Sequence, residues 1–200
     1  MKTVLLHGLG QTAQDWKEVV QQLSISDVDC PELFSSTEDE ISYSQILGDL
    51  EQRYSEVKEP LRICGLSLGA LLAIDFAIRH EEKVASLVLI GAQYKVPSLL
   101  IDFQNLLFRC MPAKSFYNMG LSKSDTIKLS HSMRSLDFTS QLNNIRCPVT
   151  ILCGKKDAAN IKASKRLKEL LPQATLHIVP NAGHELNKYA PNTIAEILNN

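Results

Sequence analysis

The chain passes from a short apolar run through a glycine-serine turn into a long apolar segment, in the order Leu61-Arg62-Ile63-Cys64-Gly65-Leu66-Ser67-Leu68-Gly69. Residues 61–64 have the pattern of a buried β-strand, and residues 70–79 are apolar almost all round, as in a buried helix. A strand joined to a buried helix by one tight turn is typical of a parallel sheet covered by helices. The stretch therefore predicts an α/β fold.

Strand-like and helix-like segments alternate along most of the chain. The strand-like runs lie at residues 3–6, 28–33, 61–64, 84–90, 149–153 and 175–179. Amphipathic segments at 43–57 and 160–171 predict helices, and the capping-box spacing of Asp15 and Glu18 predicts another helix that opens near Asp15. We therefore expect a three-layer α/β/α fold with about six mostly or wholly parallel strands.

The alternation stops between residues 93 and 144, where no strand-like run occurs. Three helix-like pieces lie there, at 99–109, 113–120 and 123–134, and Ser122 with Asp125 has capping-box spacing for the third. We interpret residues 93–144 as a helical cap inserted into a single domain that spans residues 1–200. Its apolar side chains either line a pocket or attach the cap to the sheet.

Composition and charge exclude several classes of protein. Of 200 residues, 44% are hydrophobic and 22% charged, which is typical of a globular domain. The 21 basic and 22 acidic side chains give a net charge of −1, so no nucleic-acid or anionic membrane partner is expected. With no apolar run long enough for a membrane span and too short an N-terminal segment for a signal peptide, we expect a cytoplasmic protein. The oligomeric state stays open.

Cysteines and histidines give no sign of a disulfide framework or a metal site. The five cysteines include no C-x-x-C pair, and the five histidines lack the short spacings that a zinc site requires. We therefore expect reduced thiols, no metal and no cofactor. The chemistry would then depend on side chains and backbone groups alone.

Ser67 is the strongest candidate for a chemically active side chain. A nucleophile on a tight strand-to-helix turn is held in strained backbone geometry, so the residues two positions away, Gly65 and Gly69, must be small. The alternative is a glycine-rich turn whose serine only caps the helix that follows. The position between a strand and a buried helix favours the nucleophile.

A serine nucleophile needs a base that accepts its proton and an acid that orients the base. Asp157 follows the strand-like run at 149–153, and His184 follows the run at 175–179. Both are expected at the sheet edge that carries Ser67, where open α/β sheets bind ligands. Four other aspartates between the serine and the histidine lie away from strand ends: Asp75, Asp102, Asp125 and Asp137.

These motifs, in this order, resemble the α/β-hydrolase fold superfamily, specifically its small esterases, lipases and acyl hydrolases with a helical cap. The resemblance runs from His7-Gly8-Leu9-Gly10 through the Ser67 turn and Asp157 to Gly183-His184. It implies that Ser67 is the nucleophile, His184 the general base and Asp157 the orienting acid. It also implies an oxyanion hole formed by the backbone N–H groups of Leu9 and Leu68. By comparison with larger members of this superfamily, we expect the first hairpin of the fold to be missing and the cap to be short.

The resemblance implies a serine hydrolase that acts through an acyl-enzyme. Because the cap is rich in apolar side chains and no arginine cluster could clamp a charged group, we expect the substrate to be a small or lipophilic carboxylic ester. The expected partner is a small-molecule ester, and the cap residues expected to contact it are Leu107, Phe108, Met111 and Phe116. Another reaction on the same triad stays open: thioester or C–C bond hydrolysis, lyase chemistry or perhydrolysis. Two further alternatives are a non-catalytic ligand-binding protein and an interaction protein that uses the apolar run at 99–108.

Overall fold

Six parallel strands form a single sheet within residues 1–34, 41–116 and 120–200, the parts of the chain that this computed structural model describes. The strands are β1 (Thr3–Leu6), β2 (Val28–Asp29), β3 (Leu61–Leu66), β4 (Val84–Ile90), β5 (Val149–Gly154) and β6 (Ala174–Val179). Their order is β2-β1-β3-β4-β5-β6, and every neighbouring pair is parallel. The predicted α/β fold class is confirmed.

Helices cover both faces of the sheet. They are α1 (Lys17–Val20), α2 (Tyr43–Arg53), α3 (Leu68–Arg79), α4 (Ser98–Cys110), α5 (Lys123–Ser132), α6 (Ile161–Leu170), α7 (Leu186–Tyr189) and α8 (Pro191–Asn199). Alternate strand residues face opposite layers: Leu87 and Leu89 pack with α2, α3 and α6, whereas Val88 and Ile90 pack with α1, α7 and α8. Two apolar layers therefore enclose the sheet.

The sheet order positions a crevice at the ends of β1 and β3. The chain moves from β1 to β2 on one side and then returns to β3 on the other side of β1. Leu6 at the end of β1 pairs with Gly65 near the end of β3. In open α/β sheets, ligands bind outside the carboxyl ends of the strands at such a switch point. The loop that begins at His7 and the turn at Ser67 both start there.

Several predicted boundaries were wrong. The second strand ends at Asp29, because the chain beyond it leaves the sheet, and α2 ends at Arg53. The first helical segment starts at Ala13 rather than near Asp15. The Thr12 backbone N–H donates to Asp15 Oδ2 at 2.7 Å, so the capping box pairs Thr12 with Asp15. The spacing of Thr12 and Asp15 also fits a capping box, so the sequence contained the correct signal as well as the misleading Asp15–Glu18 spacing.

Between β4 and β5 the described residues form α4, a short 3₁₀ helix at Ala113–Phe116, α5, and a second short 3₁₀ helix at Leu142–Asn144. The Asp125 N–H donates to Ser122 Oγ at 3.1 Å, which confirms the predicted cap of α5. Part of the predicted piece at 113–120 lies outside the described residues, since 117–119 are not among them. Lys95 and Asp137 form an isolated bridge and a 2.7 Å ion pair near the two ends of this segment. Its assignment as an inserted cap stays a proposal.

Candidate active site

Ser67 occupies the single position between β3 and α3, in an uncommon backbone conformation. Its φ is 56° and its ψ is −111°, a region that residues other than glycine rarely adopt. A Cβ atom on Gly65 would lie 2.2 Å from the carbonyl oxygen of Gly69, and one on Gly69 would lie 2.2 Å from that of Leu6. The Ser67 side chain makes no capping hydrogen bond to α3. The turn therefore holds the hydroxyl away from the helix backbone, contrary to the capping alternative.

Asp157 and His184 form a hydrogen-bonded pair at the ends of β5 and β6. The Nδ1 atom of His184 lies 2.7 Å from Oδ2 of Asp157. Burial raises the pKa of Asp157, but hydrogen bonds from His184 and Asn160 outweigh this effect and hold that pKa below its usual range. A carboxylate oxygen accepts, so this hydrogen bond requires the His184 tautomer with its proton on Nδ1, in which Nε2 is the ring nitrogen that can accept another.

A cavity of about 560 Å³ brings these groups together. Its wall includes all five residues that the family resemblance singled out: Leu9, Ser67, Leu68, Asp157 and His184. The rest of the described wall is mostly apolar, and much of it comes from the segment between β4 and β5: Val96, Pro97, Ile101, Phe108 and Met133. Within the described residues, no lysine or arginine belongs to the wall. The cavity therefore combines a polar edge with a neutral, apolar interior.

The two residues whose backbone N–H groups were expected to form an oxyanion hole, Leu9 and Leu68, both belong to the cavity wall. Leu68 is the first residue of α3, so its N–H has no partner within the helix and lies at the positive end of the helix dipole. Leu9 follows Gly8, whose N–H donates to Oε1 of Gln11 at 3.3 Å. Gln11 in turn donates through Nε2 to Oδ1 of Asn187 at 3.3 Å. This contact ties the Leu9 loop to the segment that follows His184.

The four predicted substrate contacts occupy different surroundings. Phe108 belongs to the cavity wall, and Phe116 packs edge-on against it with ring centroids 5.7 Å apart. Phe116 itself is fully buried. Leu107 and Met111 are 48% and 36% exposed. Among the described residues that line the cavity, only Phe108 comes from this set. Leu107 on α4 and Met111 just after it are turned to solvent, and Phe116 on the 3₁₀ helix packs against Phe108.

The four competing aspartates are engaged elsewhere. Asp75 accepts hydrogen bonds from Arg79 at 2.7 Å and from the Tyr43 hydroxyl at 3.2 Å. The other three bond residues of the segment between β4 and β5: Asp102 bonds Arg134, Asp125 bonds Ser122, and Asp137 bonds Lys95 and Thr139. In the part of the chain that is described, Asp157 is the aspartate that contacts His184.

Two neighbours of the Asp157–His184 pair were missed from the sequence. Gly91 follows β4 with a φ of 55°, and a Cβ atom there would lie 2.8 Å from the His184 ring. The Nδ2 atom of Asn160 lies within 3.1 Å of both Asp157 and His184. A glycine directly after a buried strand was an available signal, whereas an asparagine before a helix is typical of an N-cap. Only the fold shows that both positions adjoin the site.

The described residues form neither a cluster of metal-ligating side chains nor a membrane-spanning helix. Nowhere in those ranges do three or more histidine, cysteine, aspartate or glutamate side chains group in a way that could hold a metal ion. Of the helices they form, none has the length and apolar character needed to cross a bilayer.

Known proteins are similar to this chain over almost its full length. A family model described as the alpha/beta hydrolase family matches residues 3–196. A Bacillus subtilis (strain 168) protein, named as a proposed 2-succinyl-6-hydroxy-2,4-cyclohexadiene-1-carboxylate synthase, is 23% identical over 98% of this chain and 88% of its own. The pimeloyl-acyl-carrier-protein methyl ester esterase of Nitrosomonas europaea is 25% identical over 90% of this chain and 87% of its own.

A solved structure shows the same fold at low sequence identity. The structure of a thermophilic esterase from Thermogutta terrifontis, with malate bound, has a TM-score of 0.83 and 18% identity, and the match covers 99% of this chain and 88% of that one. The family model spans the elements from β1 to α8, and therefore includes every strand and every site residue described above. The chain thus belongs to the alpha/beta hydrolase family and is a hydrolase.

Proposed function

We propose that the protein is a serine hydrolase that cleaves a neutral, small or lipophilic carboxylic ester through an acyl-enzyme. The observation that carries the proposal is a single cavity that contains Ser67 on its strained turn and His184 bonded to Asp157 at 2.7 Å. The Ser67 hydroxyl makes no capping bond to α3 and shares a cavity wall with a histidine that is bonded through Nδ1 to a carboxylate. These are the groups that an activated serine nucleophile requires.

In the proposed reaction, Ser67 Oγ forms a bond to the ester carbonyl carbon while His184 Nε2 takes the hydroxyl proton. The negative charge that develops on the carbonyl oxygen is stabilised by the N–H groups of Leu9 and Leu68. Collapse of the tetrahedral intermediate breaks the bond to the alcohol, which leaves with the proton from His184. A water molecule then repeats the sequence on the acyl-enzyme and releases the acid.

The chemistry of the cavity wall favours a neutral ester over a substrate with several carboxylates. The described wall provides apolar contacts from α4 and neighbouring loops and no lysine or arginine. A buried anionic substrate would need a counter-charge or several donors. The product named for the Bacillus subtilis relative carries carboxylate groups. Lyase chemistry on the same side chains is therefore the second candidate, and the esterase is favoured.

Hydrolysis of p-nitrophenyl esters with acyl chains of graded length tests the proposal. We expect turnover by the wild type and a fall in kcat of about 10⁴- to 10⁶-fold in Ser67→Ala. A fluorophosphonate should form a mass adduct that maps to Ser67. Full activity in Ser67→Ala would overturn the nucleophile assignment. Absence of the adduct, with no turnover on ester, thioester or diketone panels, would favour a ligand-binding protein instead.

A further inference from the structure

Asn160 stands where a helix-capping residue belongs, but its side chain does not cap. It is the residue before α6, and asparagine at that position normally accepts a hydrogen bond from the first turn. Here no such bond forms, and the backbone of Asn160 is helical, with φ −108° and ψ −14°. The side chain is instead directed at Asp157, with Nδ2 2.9 Å from Oδ1 and 3.0 Å from Oδ2. The first turn of α6 is instead capped by Asp157, whose Oδ1 accepts from the N–H of Asn160 at 3.3 Å and whose carbonyl oxygen accepts from the N–H of Ile161 at 3.0 Å, so the Asn160 side chain is available to the carboxylate.

The orientation of the Asn160 amide is fixed from the end of β4. Gln93 Nε2 lies 3.3 Å from the carbonyl oxygen of Ala159, an acceptor, so this atom of Gln93 must be the amide nitrogen. The same nitrogen lies 2.8 Å from Oδ1 of Asn160, which must therefore be the amide oxygen. The Asn160 nitrogen is then left facing Asp157. The Ala159 carbonyl thus sets the orientation of the Gln93 amide. The Gln93 amide in turn orients the Asn160 amide, so that its nitrogen faces the Asp157 carboxylate.

The same nitrogen constrains the histidine. Asn160 Nδ2 lies 3.1 Å from Nδ1 of His184, and both atoms lie within 3.0 Å of Oδ2 of Asp157. Both nitrogens donate to the same Asp157 oxygen, so neither accepts a hydrogen bond from the other. This arrangement is compatible with the His184 tautomer that carries its proton on Nδ1. Asn160 and Asp157 are 9% and 6% exposed, so water competes little for these bonds.

We propose that Asn160 is a positioning residue, which together with Gln93 holds the Asp157 carboxylate and, through it, the ring of His184. The inference rests on the proposed function, because the positioned groups are the acid and base of that reaction. A carboxylate with four acceptor sites and one histidine partner could rotate within its pocket. The Asn160 amide, together with its backbone N–H 3.3 Å from Oδ1, restricts that rotation.

The test compares Asn160→Leu, which has a similar shape and no polar atoms, with Asn144→Leu. Asn144 is exposed and precedes β5, whereas Asp157 follows the same strand at its other end. We expect Asn160→Leu to lower kcat on a p-nitrophenyl ester, and the rate of fluorophosphonate labelling, by about 10- to 100-fold, as expected for a lost bond to a charged group. KM should stay within about two-fold, and Asn144→Leu should match the wild type.

A double-mutant cycle separates positioning from a merely structural role. In an Asp157→Ala background, Asn160→Leu should change the labelling rate by less than about two-fold, because its target is gone. An equal loss in both backgrounds, or wild-type kinetics in Asn160→Leu, would overturn the inference. If Asn160→Leu does not fold, Gln93→Leu provides the test. It should lower kcat by about 3- to 10-fold, since the Asn160 amide loses only its orienting partner. No loss of kcat in Gln93→Leu would also contradict the inference.

A spectroscopic measurement keeps this inference distinct from the proposed function. Should the wild type neither hydrolyse esters nor react with fluorophosphonate, the proposed function fails. The downfield proton resonance of His184 Nδ1–H still reports the geometry in that case. It should be present in the wild type and in Asn144→Leu, and shifted or lost in Asn160→Leu. An unchanged resonance would refute the positioning role.

Discussion

Two regions that border the same cavity are built differently. One is the sheet edge that carries Ser67, Asp157 and His184, and the other is helix α4. At the sheet edge, close backbone contacts at Gly65 and Gly69 constrain the turn that carries Ser67, and Gly91 lies against the side chains of His184 and Asp157. Helix α4 instead presents apolar side chains on its outer surface: Leu99 is 81% exposed, Phe103 59% and Leu106 56%. Under the proposed function, the edge would carry the reacting groups and α4 would contact the acyl group of the substrate. Variants in the two regions should therefore affect different kinetic constants.

The largest effect is expected at the sheet edge, from Asp157→Asn. Loss of the carboxylate removes the group that fixes the His184 tautomer, so kcat on a p-nitrophenyl ester should fall by about 10⁴-fold with little change in KM. Asp102→Asn, which alters an aspartate on α4 bonded to Arg134, serves as the control and should keep wild-type kcat. A loss below about ten-fold in Asp157→Asn would mean that the acid lies elsewhere.

Gly91→Ala should have the next largest effect, through displacement of His184. The added methyl group would lie 2.8 Å from the ring, and the φ of 55° disfavours any side chain. A shift of the base by a fraction of an ångström should lower kcat by about 100-fold. Gly48→Ala on α2 is the matched control, since a Cβ atom there meets nothing within 4 Å. Equal activity of the two variants in steady-state assays would contradict the expectation.

Phe108→Ala tests the other region. Removal of this ring from the cavity wall should raise KM for long acyl chains about ten-fold, because an apolar contact contributes about 1–3 kcal/mol, and kcat should change little. Phe103→Ala, on the exposed surface of the same helix, should leave the chain-length profile unchanged. A profile that does not respond to Phe108→Ala would place the acyl group outside this part of the cavity.

The smallest expected effect concerns the ion pair between Lys95 and Asp137. The Lys95 ammonium, with help from Thr139, lowers the pKa of Asp137 from 3.8 to about 2. Because the folded-state value is the lower one, the stabilisation is complete above pH 3.8 and disappears as pH falls through about 2. Asp137→Asn should lower Tm by about 1–3 °C at pH 7. In scanning calorimetry that difference should vanish near pH 2; a constant difference would refute the linkage.

Local signals in the sequence predicted some parts of this protein better than others. The strand at Val84–Ile90 matched its predicted bounds because seven consecutive residues are apolar or small, whereas the strand near Val28 shortened to two residues at the sheet margin. The turn around Ser67 was predicted from its two glycines. Contacts within the turn and with the adjacent strand leave no room for a larger residue at either position. Leu107 and Met111 were placed in the pocket on composition alone, and composition does not show which helix face turns inward.

The sequence by itself determined the fold class, the order of the elements and the loops that carry Ser67, Asp157 and His184. These features depend on periodicity and on residues within a few positions of one another. Only the tertiary structure decided that the Asn160 amide contacts the Asp157 carboxylate, that Gly91 makes room for the histidine, and that Phe108 is part of the cavity wall. Those contacts join segments distant in the chain, so they exist only once the parallel strands place their carboxyl ends side by side.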